Sequence, residues 1–328
     1  MKICIVGAGA IGGIVAAYCA RAGFEVSAIA RGAHRHAIEA RGLKIIAPQE
    51  TFSAEVRVND DPDAFGVQDI VVISLKAHHI PAMLPRLSNL IGRDTIVLPT
   101  INGVPWWYFF RQGGPFDGQH IEAIDPAGAG LTALDSHHLI GCVVHAAGEV
   151  VAPGEIKSNG SRVFVMGEPD GALSRRLNGL ADVFRQAQLE PRPTQHIRDE
   201  VWMKLIGNAT FNPLCALTRA TLRDASENPT LVSFIREAMV EITGVAKAHG
   251  ANELVTIDKR LEIARKVGPI KPSMLQDLEL GRLMEIEPLL GAVVELAEKI
   301  NQPVPKTQLL YALMRELEKN IRPSVNLG

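Results

Sequence analysis

The chain has 328 residues, enough for two domains with separate cores, and its 47% hydrophobic and 21% charged content is that of a soluble globular protein. Its 34 basic and 36 acidic residues leave a net charge of −2, which argues against nucleic acid or an anionic membrane as partner. Apolar runs are strand-sized rather than membrane-spanning, and a core strand beginning at residue 2 leaves no room for a signal peptide, so a cytoplasmic protein is expected.

Residues 1–6 form a short apolar run of strand-forming residues, followed at once by Gly7-Ala8-Gly9-Ala10-Ile11-Gly12. Val15, Ala16, Ala17 and Cys19 continue at helical spacing. A strand feeding a G-x-G-x-x-G turn into a helix is the dinucleotide-binding fingerprint. Gly7 allows the tight turn, Gly9 lets backbone approach a pyrophosphate, and Gly12 lets the helix pack close to the strand. The helix N-terminus then offers N–H groups and a positive dipole to the phosphates. Residues 24–30 read as a second strand that ends at Arg31, where an NAD-specific site places a carboxylate for the ribose hydroxyl. Arginine suits a 2′-phosphate instead, so NADP(H) is the expected cofactor. His34 and Arg35 are expected to add positive charge there.

Residues 43–46 and 54–58 alternate as half-buried strands, and residues 69–75 form a continuous β-branched run expected of a doubly covered parallel strand. A crossover helix is expected over 80–91, then strands at 95–98, 138–147, 150–157 and 162–167 and a helix over 172–187. After His196 the pattern becomes helical, over 198–216, 230–249, 252–267, 285–299 and 307–319. The expected class is therefore α/β: a Rossmann-type dinucleotide-binding domain over 1–195, then an all-helical substrate and catalytic domain over 196–328. Ligands of open α/β sheets bind beyond the carboxyl ends of the strands. Cys4, Cys19, Cys142 and Cys215 are scattered without metal-ligand spacing, as reduced core thiols would be, and no metal is expected.

Three segments carry polar residues where apolar ones would be expected. Lys76 follows the buried strand and is either an exposed loop lysine or a cofactor contact. Asn102-Gly103 follows the next strand; it is either a plain turn or a donor–acceptor amide for a ligand. Lys204, Asn208 and Asn212 recur every four residues, which puts one amine and two amides on one stripe of a helix among largely apolar neighbours. Buried polar groups need partners, so this stripe points to a ligand. Farther on, Pro272-Ser273 reads equally as a helix cap, and Glu285 and Glu287 as surface acids.

Taken in order, Gly7–Gly12, Arg31, Leu75-Lys76-Ala77, Asn102-Gly103, Trp202-x-Lys204-Leu205, Asn208, Asn212-Pro213-Leu214, the string 273–277 (Ser-Met-Leu-Gln-Asp) and Glu285-Ile286-Glu287 resemble the ketopantoate reductase family over nearly the whole chain. The resemblance implies reduction of the 2-keto acid ketopantoate to pantoate by NADPH, in pantothenate and coenzyme A synthesis. It implies that Lys204 is the general acid and that Glu285 holds and polarises the carbonyl. Asn102 then orients the nicotinamide and lysine network, Asn208, Asn212 and Ser273 bind the substrate hydroxyl and carboxylate, and Arg31 and Lys76 contact the cofactor. A homodimer through the helical domain is expected. The chain departs from the family at Arg219–Arg223, at Ile270 where an asparagine is usual, and at Leu290; the loop Trp106-Trp107-Tyr108 is unusually aromatic. These departures leave open a different small 2-keto acid. A non-catalytic NADPH sensor is the other alternative, though a sensor needs neither Lys204 nor Glu285. Other two-domain dehydrogenases would carry a catalytic histidine or paired lysines, which the helical half lacks.

Overall fold

β-Branched and small residues form β1 (Lys2–Val6), which turns through glycine into α1 (Ala10–Arg21). There follow β2 (Glu25–Ile29), α2 (Gly32–Arg41), β3 (Leu43–Ala47), β4 (Glu50–Ala54), β5 (Arg57–Asn59), β6 (Gln68–Ile73), the single turn α3 (Ile80–Met83) and β7 (Ile91–Pro99). Then come α4 (Ala129–Ala133), β8 (Gly141–Val144), β9 (Gly148–Ala152), β10 (Glu155–Ser158), β11 (Val163–Gly167), α5 (Arg175–Gln186) and β12 (Glu190–Pro193). This computed structural model describes residues 1–321; residues 322–328 of the expected helical domain lie outside the described residues.

The chain makes two units. The first comprises Met1–Asn102, Trp106–His120 and Ala127–Ile197. Its main sheet is parallel, in the order β5-β2-β1-β6-β7. The order reverses between β1 and β6, so the glycine turn after β1 and the Ser74–Lys76 segment after β6 flank the switch point, where ligands of doubly wound sheets bind. Two smaller sheets, β4-β3-β10-β9 and β12-β11-β8, complete the unit. α1 is buried along nearly its whole length from Gly12 to Cys19, because β1 covers one side and β3 and β10 the other. Its small residues permit this: a Cβ on Gly13 would run into the Ile156 side chain.

Several expected elements are revised. The single strand expected over 54–58 is split, since β4 closes an antiparallel hairpin with β3 while β5 pairs in parallel with β2 in the main sheet. The strand expected over 150–157 is a hairpin, β9 and β10, turned at Pro153-Gly154 with Gly154 at φ +78°. The helix expected over 80–91 shrinks to α3 followed by 3₁₀ turns, as Pro81 and Pro85 interrupt the α ladder. β12 contains two prolines and is accommodated as an edge strand pairing only with β11. The aromatic loop is core: Trp106, Trp107, Tyr108, Phe109 and Phe110 are all buried, with the Trp107 ring packed over Gly141.

The second unit comprises Gly103–Pro105, Ile121–Pro126 and the chain from Arg198 onward. It contains α6 (Ile197–Thr218), α7 (Leu222–Glu227), α8 (Pro229–Ala248), α9 (Ile257–Val267), α10 (Ser273–Glu279), a π turn at Glu287–Gly291, α11 (Ala292–Glu298) and α12 (Pro305–Ile321). The helix expected over 285–299 begins at Ile286 and is widened at that π turn. The Val104 N–H donates to the Pro288 carbonyl at 2.8 Å, drawing that carbonyl out of the regular ladder. Among the described residues no helix is long and apolar enough to cross a membrane, and all four cysteines are buried.

Candidate functional site

In the first unit the glycine turn has the geometry its sequence predicts. Gly7 takes φ +101°, and a Cβ there would lie 2.6 Å from the Ser74 carbonyl oxygen. A Cβ on Gly12 would strike the Gly7 carbonyl and stand 2.9 Å from Ser74 Cβ. Beside Gly9, by contrast, the first 4 Å are open. Gly9 caps α1 with no side-chain hydrogen bond, and no acidic residue sits in the first turn, which includes Ala10 and Ile11. The N–H groups and dipole of that turn are therefore available to an anion.

Gly7, Ala8, Gly9, Arg31, His34, Asp60, His79 and Arg86 line one cleft. Arg31 is the exposed N-cap of α2. Burial, and then the nearby charges of Arg31 and Lys76, hold the His79 imidazole below its ordinary pKa. Arg31 and Lys76 thus act electrostatically on the same corner of the cleft. His34 and Arg35 do not add the charge expected of them. His34 accepts from the Gly154 N–H at Nδ1 (3.0 Å) and therefore donates from Nε2 to the Ala8 carbonyl (2.8 Å), the neutral tautomer. It ties the glycine turn to the β9–β10 hairpin. Arg35 is paired with Asp60 at 2.6 Å, so those two charges offset one another. Arg86 is hidden in the sequence because 80–91 reads as an ordinary crossover, and His79 lies immediately ahead of it.

Lys76 and Asn102 follow the carboxyl ends of the neighbouring strands β6 and β7, whose pairing extends to Ile73 opposite Pro99. Both side chains are half-buried.

In the second unit, α6 presents Lys204 and Asn208 half-buried and Asn212 only 6% exposed, among buried Val201, Trp202, Leu205, Ala209 and Phe211. Pro213 lies inside this helix and has no N–H to give the carbonyl four residues back. Ser273 is exposed at the first position of α10; Pro272 is the N-cap and no side chain caps that end, so Ser273 is not a capping residue. Glu285 is half-buried, directly ahead of the helical run into the π turn. Glu287 has a different occupation, accepting from Tyr311 Oη at 2.8 Å and Arg315 at 2.6 Å. Lys204, Asn208 and Asn212 thus share one helix, while Ser273 and Glu285 come from two other segments of the same unit.

Comparisons with known proteins agree over both units. Residues 3–171 match the family model described as ketopantoate reductase PanE/ApbA, and residues 196–318 match the model of its C-terminal part. A 2-dehydropantoate 2-reductase of Mesorhizobium japonicum is 42% identical over 318 residues, covering 97% of this chain and 98% of the relative. A crystal structure from Ralstonia solanacearum, described as a candidate ketopantoate reductase, superposes with a TM-score of 0.92 at 35% identity, covering 97% and 98% of the two chains. A D-mandelate dehydrogenase solved with NADH and anilino(oxo)acetate has the same fold, with a TM-score of 0.85 at 21% identity over 98% and 99%.

Proposed function

The chain belongs to the ketopantoate reductase PanE/ApbA family, and from that premise we propose that it reduces 2-dehydropantoate to pantoate with NADPH. Residues 1–195 carry the dinucleotide and residues 196–328 the keto acid. The open space at Gly9 and the uncapped α1 N-terminus fit a pyrophosphate. Arg31 meets the ribose 2′-phosphate, and Lys76 adds charge at the same corner. When bound, the nicotinamide supplies hydride to the keto carbon.

The observation that carries this reading is the stripe on α6, an amine and two amides among largely apolar, buried neighbours. Lys204 gives a proton to the carbonyl oxygen as negative charge develops there. Glu285 holds the amine in place for that transfer. Asn208, Asn212 and Ser273 hold the hydroxyl and carboxylate of the substrate, and Asn102 orients the nicotinamide. The protein works in the cytoplasm as a homodimer joined through its helical half.

One observation favours a second reading, a related 2-keto acid as substrate. Ile270 is 51% exposed at the position where the family usually has asparagine. Following NADPH oxidation with 2-dehydropantoate and a panel of branched 2-keto acids separates the two. Greatest kcat/KM on 2-dehydropantoate is the expected result; a better substrate elsewhere in the panel selects the second reading. No turnover on any member overturns both.

A further inference from the structure

Gly207 lies in the interior of α6, three residues after Lys204 and one before Asn208. Glycine weakens a helix interior relative to alanine, and the space its missing side chain leaves is taken. A Cβ on Gly207 would stand 2.7 Å from Cζ and 3.0 Å from Nε of Arg260, which reaches across from α9. The Arg260 guanidinium therefore lies against the α6 backbone within one helical turn of Lys204, on the neighbouring i, i+3 position.

The other charged side chains of α9 all have partners. Asp258 pairs with Arg236, Lys259 and Lys266 both pair with Glu262, and Arg265 donates to the Ser226 carbonyl. Arg260 has no hydrogen-bond or ion-pair partner among the described residues. Its Nε is buried without an acceptor, and burial alone lowers its pKa, with no carboxylate close enough to raise it again. A guanidinium does not escape this by losing its proton. A partly desolvated cation without a counter-charge is favoured further when an anion completes it. The residue as a whole is only half-buried, so its fork can still be met by a ligand.

We propose that Arg260 binds the carboxylate of the 2-keto acid and restricts this site to acids. The proposal rests on the reading of the α6 stripe as the substrate face. In a 2-keto acid the carboxylate is one bond from the carbonyl that Lys204 protonates, so its anchor must sit beside Lys204. Arg260 meets that condition, and its planar fork matches a carboxylate with two parallel hydrogen bonds.

The test compares the wild type, Arg260→Gln, Gly207→Ala and the double variant, each on the best 2-keto acid of the panel and on its uncharged amide. In the wild type the acid is strongly preferred. Arg260→Gln raises KM for the acid about 10- to 100-fold, the range for a lost charged hydrogen bond, with little change for the amide, in kcat or in NADPH affinity. Gly207→Ala favours the helix but occupies the guanidinium's place, so it raises KM for the acid in the same direction. The double variant adds little to either single change, because both remove one interaction. If Arg260→Gln proves unfolded by its melting curve, Gly207→Ala decides alone. An active enzyme in which the folded variants keep wild-type KM and acid preference overturns the proposal. A wild type inert on every 2-keto acid overturns the functional reading itself, and is told apart because no variant is needed to see it.

Discussion

The glycine turn of the first unit and the α6 stripe of the second are built from opposite materials. The turn is backbone: N–H groups at the start of α1, a positive φ at Gly7 and a close approach at Gly12, with no side chain reaching into the space at Gly9. The stripe is side chain: an amine and two amides on a helix whose neighbouring residues are largely buried and apolar. A backbone site fails when the chain cannot adopt its path, whereas a side-chain site fails when one functional group is removed. The two should therefore respond differently to substitution.

The largest effect is expected in the turn. Gly12→Val places carbon against the Gly7 carbonyl and Ser74, with no flexible atom to move aside. It should destabilise the first unit by about 3 kcal/mol, as overpacking does, and abolish dinucleotide binding. Gly9→Ala meets nothing and should melt like the wild type while binding NADPH more weakly. Melting curves paired with fluorescence titration of NADPH check both; equal stability losses in the two variants would remove the distinction between a packing and a ligand-facing glycine.

In the stripe, Lys204→Ala should leave folding and NADPH affinity nearly intact while lowering kcat by about 100-fold or more, the scale of general acid catalysis. Ser273→Ala should mostly raise KM, because a carboxylate contact serves ground and transition states alike. Steady-state kinetics on both variants separates the roles. Near-normal kcat with a raised KM in Lys204→Ala would make Lys204 an anchor and move the proton donor elsewhere.

Arg31→Asp sharpens the comparison within the first unit, since it alters recognition without touching the turn. NADPH affinity should fall about 10- to 100-fold for the loss of a charged contact, with NADH changed far less. Equal losses for both nucleotides would mean that Arg31 does not read the 2′-phosphate.

The smallest expected effect lies in the second unit, away from the stripe. His249 is buried at the end of α8 and contacts the Leu296 carbonyl through Nε2 at 2.9 Å. Burial lowers its pKa below the ordinary 6.5. The unfolded chain thus takes up a proton more readily than the folded one, and unfolding is favoured as pH falls below about 6.5. Above that pH the contribution to stability is intact. Melting temperature should decline on acidification, and His249→Gln, which keeps a donor but cannot titrate, should flatten that decline; an unchanged slope would assign it to other groups.

What could be read from sequence followed from local requirements. Gly7, Gly9 and Gly12 are separable because each answers a different backbone demand, and Lys204, Asn208 and Asn212 because helical spacing alone aligns them. Arg31 is placed for the same reason, as the residue that follows β2 and opens α2. The split of residues 54–58 was not legible, because alternation looks the same whether a strand pairs with β3 or with β2. Nor were the burial of Trp106–Phe110, the neutral bridge made by His34, or the pairing of Arg35 with Asp60.

The sequence by itself determined the strand–glycine–helix turn, the charge between β2 and α2 and the polar stripe on α6, since these depend on φ, on missing Cβ atoms and on helical period within a few residues. Only the tertiary structure decided which charges are already neutralised and which remain to meet a ligand. His34 is taken up by Gly154, Arg35 by Asp60 and Glu287 by Tyr311 and Arg315, whereas Arg260 rests on Gly207 without a counter-charge. The partner of a charge is chosen by what packs against it, and those neighbours lie tens to more than a hundred residues away along the chain.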